Sequence, residues 1–270
     1  MGGSQDNGAF RKTSTNWTEM TGLVGGDEMM TAVDQTNSKI VYVVGTGRLY
    51  ERTTDGGSTW TTINSGITES GLWVTPFVMD PINSSILYTV TSRFYRSTNK
   101  GDNWTPLSYV GNTSLGWNSQ WIAVNPSNTN TIYVASGYMI YRSPDGGATW
   151  SQIWTSPGNR WITRVVIDPG ATATLYATLS GTGVQHVWKS TDSGVTWANI
   201  SGDLPDLPVN AIKPDPRSGS TMYLGTDLGF FYTTNGGVNW NHDDAFPNTI
   251  VNDLAITSDS NLIAATYGRG

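Results

Sequence analysis

The stretch TTDGGSTW (Thr53–Trp60) spells a tight turn in residue types. An Asp at its third position can accept hydrogen bonds from nearby backbone N–H groups, and Gly supplies a positive φ. The Thr and Trp that follow favour a strand. The same pattern, S/T-x-D/N-x-G-x-T/N-W, returns at Ser97–Trp104 (STNKGDNW), Ser143–Trp150 (SPDGGATW), Ser190–Trp197 (STDSGVTW) and Thr233–Trp240 (TTNGGVNW). A shortened relative, KTSTNW, ends at Trp17. Successive Trp of the series lie 43, 44, 46, 47 and 43 residues apart, a period near 45.

A second signal keeps the same period. FVMDPINSSILYTV (from Phe77) and VVIDPGATATLYAT (from Val165) each pair two apolar runs across a Pro/Asn/Asp/Ser turn, with a Tyr in the second run. That is a hairpin signature. Each repeat therefore reads as four strands, a to d, with the signature turn between c and d. A period in the forties with four strands per unit marks propeller blades. The N-terminus supplies only c and d (about 8–20) and the C-terminus only a and b (about 250–267). The expected fold is all-β: a six-bladed β-propeller of four-stranded antiparallel blades, its ring closed by pairing the two ends. The whole chain, 1–270, is then one domain. Its blade cores fall at about 28–63, 74–109, 119–154, 162–200 and 209–242, with 250–267 plus 8–20 as the sixth.

Composition agrees and sets exclusions. The 270 residues include 31 Gly, 12 Trp and 12 Tyr, and only 13% are charged, against roughly a quarter in an average soluble domain. Many short strands joined by turns need this mixture. The net charge of −6 disfavours nucleic acid and anionic membranes as partners. No apolar run approaches the ~20 residues that span a bilayer. With no Cys there are no disulfides or thiolate metal sites. His186 and His242 sit in separate repeats with no metal-ligand spacing, so neither a metal nor a cofactor is expected. The opening MGGSQDNGAF has neither the basic nor the apolar region of a signal peptide.

The five full turns resemble the BNR/Asp-box repeat family, which includes sialidases, tandem-propeller xyloglucanases, sortilin-like Vps10 domains and photosystem assembly factors. GSQDNGAF (Gly3–Phe10), GGDEMM (Gly25–Met30) and ATYGRG (Ala265–Gly270) narrow this to secreted bacterial proteins described as glycosyl-hydrolase-like or sortilin-like. The resemblance implies an extracellular or cell-surface parent protein, with this chain an excised propeller. It also implies departures. The R-I-P motif and Arg triad of sialidases are missing, as is the Cys-rich segment that follows Vps10 domains. Xyloglucanases place one catalytic carboxylate in each of two propellers facing a common cleft, and one propeller would hold half of such a site.

In the signature turns, Asp55, Asn99, Asp145, Asp192 and Asn235 read as structural, because a turn tolerates Asp/Asn exchange and a catalytic acid does not. Trp60, Trp104, Trp150, Trp197 and Trp240 read as covers over the joints between sheets. Ligand chemistry then belongs to the opposite, d–a and b–c, loops. There Trp73, Trp117, Trp121, Arg160, Trp161 and Arg164 form an aromatic and cationic set suited to sugar rings. Carboxylates on that face are Asp27, Glu28, Glu69, Asp227 and Asp253. Asp27 is the best single catalytic candidate, with turn capping as its plain alternative. With no carboxylate pair set by a motif, the leading expectation is a monomeric, non-catalytic binding or scaffold propeller for a glycan or protein ligand. The alternatives are a glycoside hydrolase domain, half of a two-propeller endo-glucanase-like enzyme, or an excised or engineered propeller without activity.

Overall fold

The computed structural model describes residues 1–4, 8–13, 16–20, 22–23, 27–111 and 119–267. Five four-stranded β-propeller blades follow one another along the chain. Blade 1 holds β4 (Glu28–Val33), β5 (Val41–Gly45), β6 (Tyr50–Thr53) and β7 (Thr61–Thr62). Blade 2 holds β8 (Phe77–Met79), β9 (Leu87–Val90), β10 (Arg93–Ser97) and β11 (Thr105–Tyr109). Blade 3 holds β12 (Ser119–Val124), β13 (Ile132–Ser136), β14 (Met139–Ser143) and β15 (Ser151–Thr155). Blade 4 holds β16 (Ile162–Ile167), β17 (Leu175–Leu179), β18 (Val187–Ser190) and β19 (Ala198–Asn199). Blade 5 holds β20 (Val209–Pro214), β21 (Met222–Thr226), β22 (Gly229–Thr233) and β23 (Asn241–His242).

The expected sixth blade does not form. A strand has two edges, and both edges of β2 (Gly8–Thr13) are taken. β3 (Asn16–Glu19) pairs on one side and β1 (Gly2–Ser4) on the other, with Gly2 opposite Phe10 and Ser4 opposite Gly8. β24 (Val251–Ile256) and β25 (Leu262–Thr266) form a two-stranded sheet of their own. Five blades and two partial sheets replace the six-bladed ring closed by the termini. Two compact units divide the chain: Met1–Val134 with Arg142–Ser151, and Ala135–Tyr141 with Gln152–Gly270.

Burial explains the strand sequences. The second strands β5, β9, β13 and β17 are buried at every position, so they read as continuous apolar runs. The fourth strands β7, β19 and β23 are two residues long, and both residues of β7 and β19 are exposed. In blades 2 and 4 the Tyr of the second strand has a polar partner. Asp80 accepts the N–H groups of Ile82 and Asn83 and the Tyr88 hydroxyl, at 2.9, 3.0 and 3.1 Å. Asp168 does the same with Gly170, Ala171 and Tyr176 (2.8, 3.1 and 3.0 Å). A buried carboxylate is tolerated because its oxygens are satisfied.

The signature turns share one hydrogen-bond scheme with a chemical switch inside it. Thr53 donates from Oγ1 to Asp55 Oδ1 (2.7 Å), which also accepts the Thr59 N–H (3.0 Å), while the Thr59 hydroxyl reaches Oδ2 (2.7 Å). Asp145 with Thr149 and Asp192 with Thr196 repeat this. Where the acid is replaced by an amide, the residue four positions on is Asn. Asn239 faces Asn235, whose Nδ2 donates to its Oδ1 at 3.2 Å, and Asn103 follows Asn99. A carboxylate takes a hydroxyl donor; an amide takes an amide. The last Gly of the turn is fixed twice over. Gly147 has φ +97°, and a Cβ there would lie 2.5 Å from Phe94 Cδ1.

Candidate functional site

In each blade the chain reverses after a and after c at one end, and after b and d at the other. The second end carries the candidate residues. The first strands open there, and among the described pairings four of them open with a β-bulge. The extra residues are Met29 in β4, Thr163 in β16, Asn210 in β20 and Asn252 in β24. A bulge re-aims side chains and often marks a working surface.

In the second unit the three bulges assemble a polar network. Thr163 Oγ1 donates to Val209 O at 2.6 Å, from the fourth blade to the fifth. Asn210 Nδ2 donates to Asp227 Oδ1 at 2.9 Å. Arg164 reaches past β20: Nη2 donates to Asn252 O at 2.8 Å and lies 3.8 Å from Asp253 Oδ1. The Arg164 side chain is 18% exposed and that of Asp253 54%. A held guanidinium thus stands behind an open carboxylate. Arg160 donates from Nη2 to Thr182 O at 2.8 Å, and the neighbouring Trp161 is 48% exposed. An open indole beside fixed polar groups suits a sugar ring.

In the first unit, Asp27 is half-buried and leads directly into β4. Glu69 Oε1 lies 3.2 Å from Arg93 Nε, and the Arg93 guanidinium stands 4.4 Å above the Tyr109 ring. The second oxygen of Glu69 is buried without a hydrogen-bond partner among the described residues. Trp73 is 58% exposed, whereas Trp121 is half-buried in an apolar crevice with Met30, Phe77 and Ile122. Trp117, the Gln5–Asn7 and Gly25–Gly26 motif residues and the terminal 268–270 lie outside the described residues. So does the side chain of Glu28. The remaining candidates divide between the units: Asp27, Glu69, Trp73 and Trp121 in the first, Arg160, Trp161, Arg164, Asp227 and Asp253 in the second.

The bulged residues Thr163, Asn210 and Asn252 escaped the reading of the sequence. Their signal was an apolar residue followed by a small polar one at the opening of each strand: Ile162-Thr163, Val209-Asn210, Val251-Asn252. His186 is buried and bonded through Nε2 to Asp206 at 2.8 Å.

No protein-family model matches the chain. It is 28% identical, over 89% of its length, to a xyloglucanase of a Paenibacillus species. It is also 28% identical, over 63% of its length, to a probable oligoxyloglucan-reducing end-specific xyloglucanase of Neosartorya fischeri. The chain spans 30% and 23% of those two proteins. A solved GH74 xyloglucanase of Xanthomonas campestris shares the fold, with a TM-score of 0.81 and 17% identity over 97% of this chain and 48% of that one. These relatives overturn the non-catalytic reading: they carry the names of glycoside hydrolases, which was the alternative. The chain is a distant relative of propeller glycosidases.

Proposed function

We propose that this chain is a propeller module of a glycoside hydrolase acting on xyloglucan-type β-glucans. The observation that carries the reading is the similarity to the Paenibacillus xyloglucanase along 89% of the chain. The bulged, polar ends of the first strands support it, because hydroxyl-rich ligands need fixed donors and acceptors there. Glycoside hydrolysis uses two carboxyl groups, one to protonate the leaving oxygen and one to activate water or attack. Asp27 is our candidate for one of them, with Glu69 the carboxylate that the loops bring to the same end of its unit. Trp73 and Trp161 would stack on sugar faces, and Arg164 would hold Asp253 in place for hydroxyl binding. We read the repeated turns as the BNR/Asp-box type. We place the working protein outside the cell, where a polymeric plant glucan is met. No helix among the described residues is long and apolar enough to cross a membrane.

The test is calorimetric titration with xyloglucan oligosaccharides, paired with reducing-end release from the polymer. Saturable binding is expected in the micromolar-to-millimolar range, weakened about fivefold or more by Trp73→Ala or Trp161→Ala. Absence of binding to any β-glucan would remove the proposal.

A further inference from the structure

The last Gly of a signature turn receives an apolar plug from the preceding sheet: Ile63 at Gly101, Leu107 at Gly147, Ile153 at Gly194, Ile200 at Gly237. The residue after the plug is polar in three cases. Asn64 Nδ2 donates to Arg48 O at 3.1 Å, Ser108 Oγ to Gly147 O at 2.8 Å, and Ser201 Oγ to Val187 O at 3.4 Å. In the fourth case it is Trp154. Blade packing is satisfied elsewhere by a small polar side chain, so it does not call for an indole here.

Trp154 stacks on Trp197 with centroids 4.7 Å apart and planes 24° from parallel, and lies 5.7 Å from Trp188. All three rings remain partly exposed. Two are pinned through their N–H groups, Trp188 to Gln185 O at 2.9 Å and Trp197 to Gly194 O at 3.1 Å. Exposed amides rim the cluster. Asn199 is paired directly opposite Trp188, and Gln152 is two residues before Trp154, on the same side of its strand. Fixed indole faces bordered by amides match a β-linked sugar, whose apolar C–H faces stack while its hydroxyls seek amide groups.

We propose that Trp154, Trp188 and Trp197 form a second glycan-binding site, on strands β15 and β18 and the turn that leads into β19, for a β-linked glucan chain. The identity of the glucan rests on the function proposed above; the platform itself rests on its own geometry. Such a site would hold polymer beside the loop end without taking part in bond cleavage.

The experiment is native gel electrophoresis of the full chain in gels containing soluble xyloglucan, comparing wild type with Trp154→Ser, Trp188→Tyr and Trp161→Ala. Ser is what Ser108 and Ser201 already supply at the first position, and Tyr is what Tyr95 and Tyr141 supply at the second. Loss of the exciton-coupled tryptophan band in circular dichroism, with the unfolding temperature kept, reports that Trp154→Ser removes the stack and spares the fold. Wild type should be retarded, Trp154→Ser should bind about fivefold more weakly and Trp188→Tyr about threefold. The double variant Trp154→Ser/Trp161→Ala should lose the product of its two single effects. Unchanged retardation in both Trp154→Ser and Trp188→Tyr, with Trp161→Ala still impaired, would overturn this site and leave the proposed function standing. A wild type that is not retarded would overturn both.

Discussion

Replacing Trp104 by Ala tests how the blades are joined. Its side chain is 3% exposed and packs against Tyr50 of blade 1 and Phe77 of blade 2, with ring centroids 5.8 and 6.3 Å away. Its Nε1 donates to Ile63 O at 2.7 Å. Truncating a buried Trp costs about 3–5 kcal/mol in lost transfer energy and cavity. Leaving a buried carbonyl without its donor adds about 1–3 kcal/mol, less if water enters the cavity. We expect a loss of about 5 kcal/mol for Trp104→Ala in urea titration followed by fluorescence and circular dichroism together. Trp104→Phe, which keeps a ring and drops the N–H, should fall near half of that. The half-buried Trp60 is the internal comparison, and Trp60→Ala should cost about 2 kcal/mol. A loss below about 2 kcal/mol at Trp104, or equal losses at both positions, would refute the view that this ring is the joint.

Three further outcomes follow from the geometry. Hydrogen bonds hold Asp55, Asp145 and Asp192 below the ordinary carboxylate range, led by the Thr59 N–H at Asp55 and by the Thr149 and Thr196 hydroxyls at the other two. The folded state then binds fewer protons than the unfolded chain, so this stability is full above about pH 4 and is lost as pH falls through the lowered native values. The unfolding temperature should hold from pH 7 to about 4.5 and drop below 4, less steeply in Asp145→Asn/Asp192→Asn; equal slopes would contradict the assignment. Gly147→Ala forces a positive φ on a side chain and a 2.5 Å approach to Phe94, and should cost more than about 2 kcal/mol, while Gly47→Ala, at φ +73° in open space, should cost about 1. Tyr176→Phe removes the hydroxyl that satisfies Asp168 and should cost about 1.5–3 kcal/mol by denaturant titration; a neutral result would mean that water replaces it.

The four-stranded antiparallel blade was legible in the sequence because its signals are local. Turn chemistry at Asp55 and its repeats, with paired apolar runs around each Asp or Asn, fixes strand order within a few residues. Blade number was not legible, because it depended on which edges pair at a distance. Nothing in GGS at Gly2–Ser4 announces a strand, yet β1 takes the edge of β2 that the ring needed. The function was misread for a related reason. The non-catalytic reading rested on the lack of a carboxylate pair set by a motif, and a motif does not reveal pairings such as Glu69 with Arg93 or Asp253 with Arg164, which form only through folding. Alternation along a strand also hid the bulges at Thr163, Asn210 and Asn252, since an inserted residue leaves composition unchanged while re-aiming side chains.

Reducing-end release from soluble xyloglucan, measured with wild type and Asp27→Asn side by side, tests the glycosidase reading most directly. The chain should release reducing ends, and Asp27→Asn should lower the rate about a hundredfold or more, with oligosaccharide affinity kept within about twofold. No release by wild type, or equal release by the variant, would contradict it.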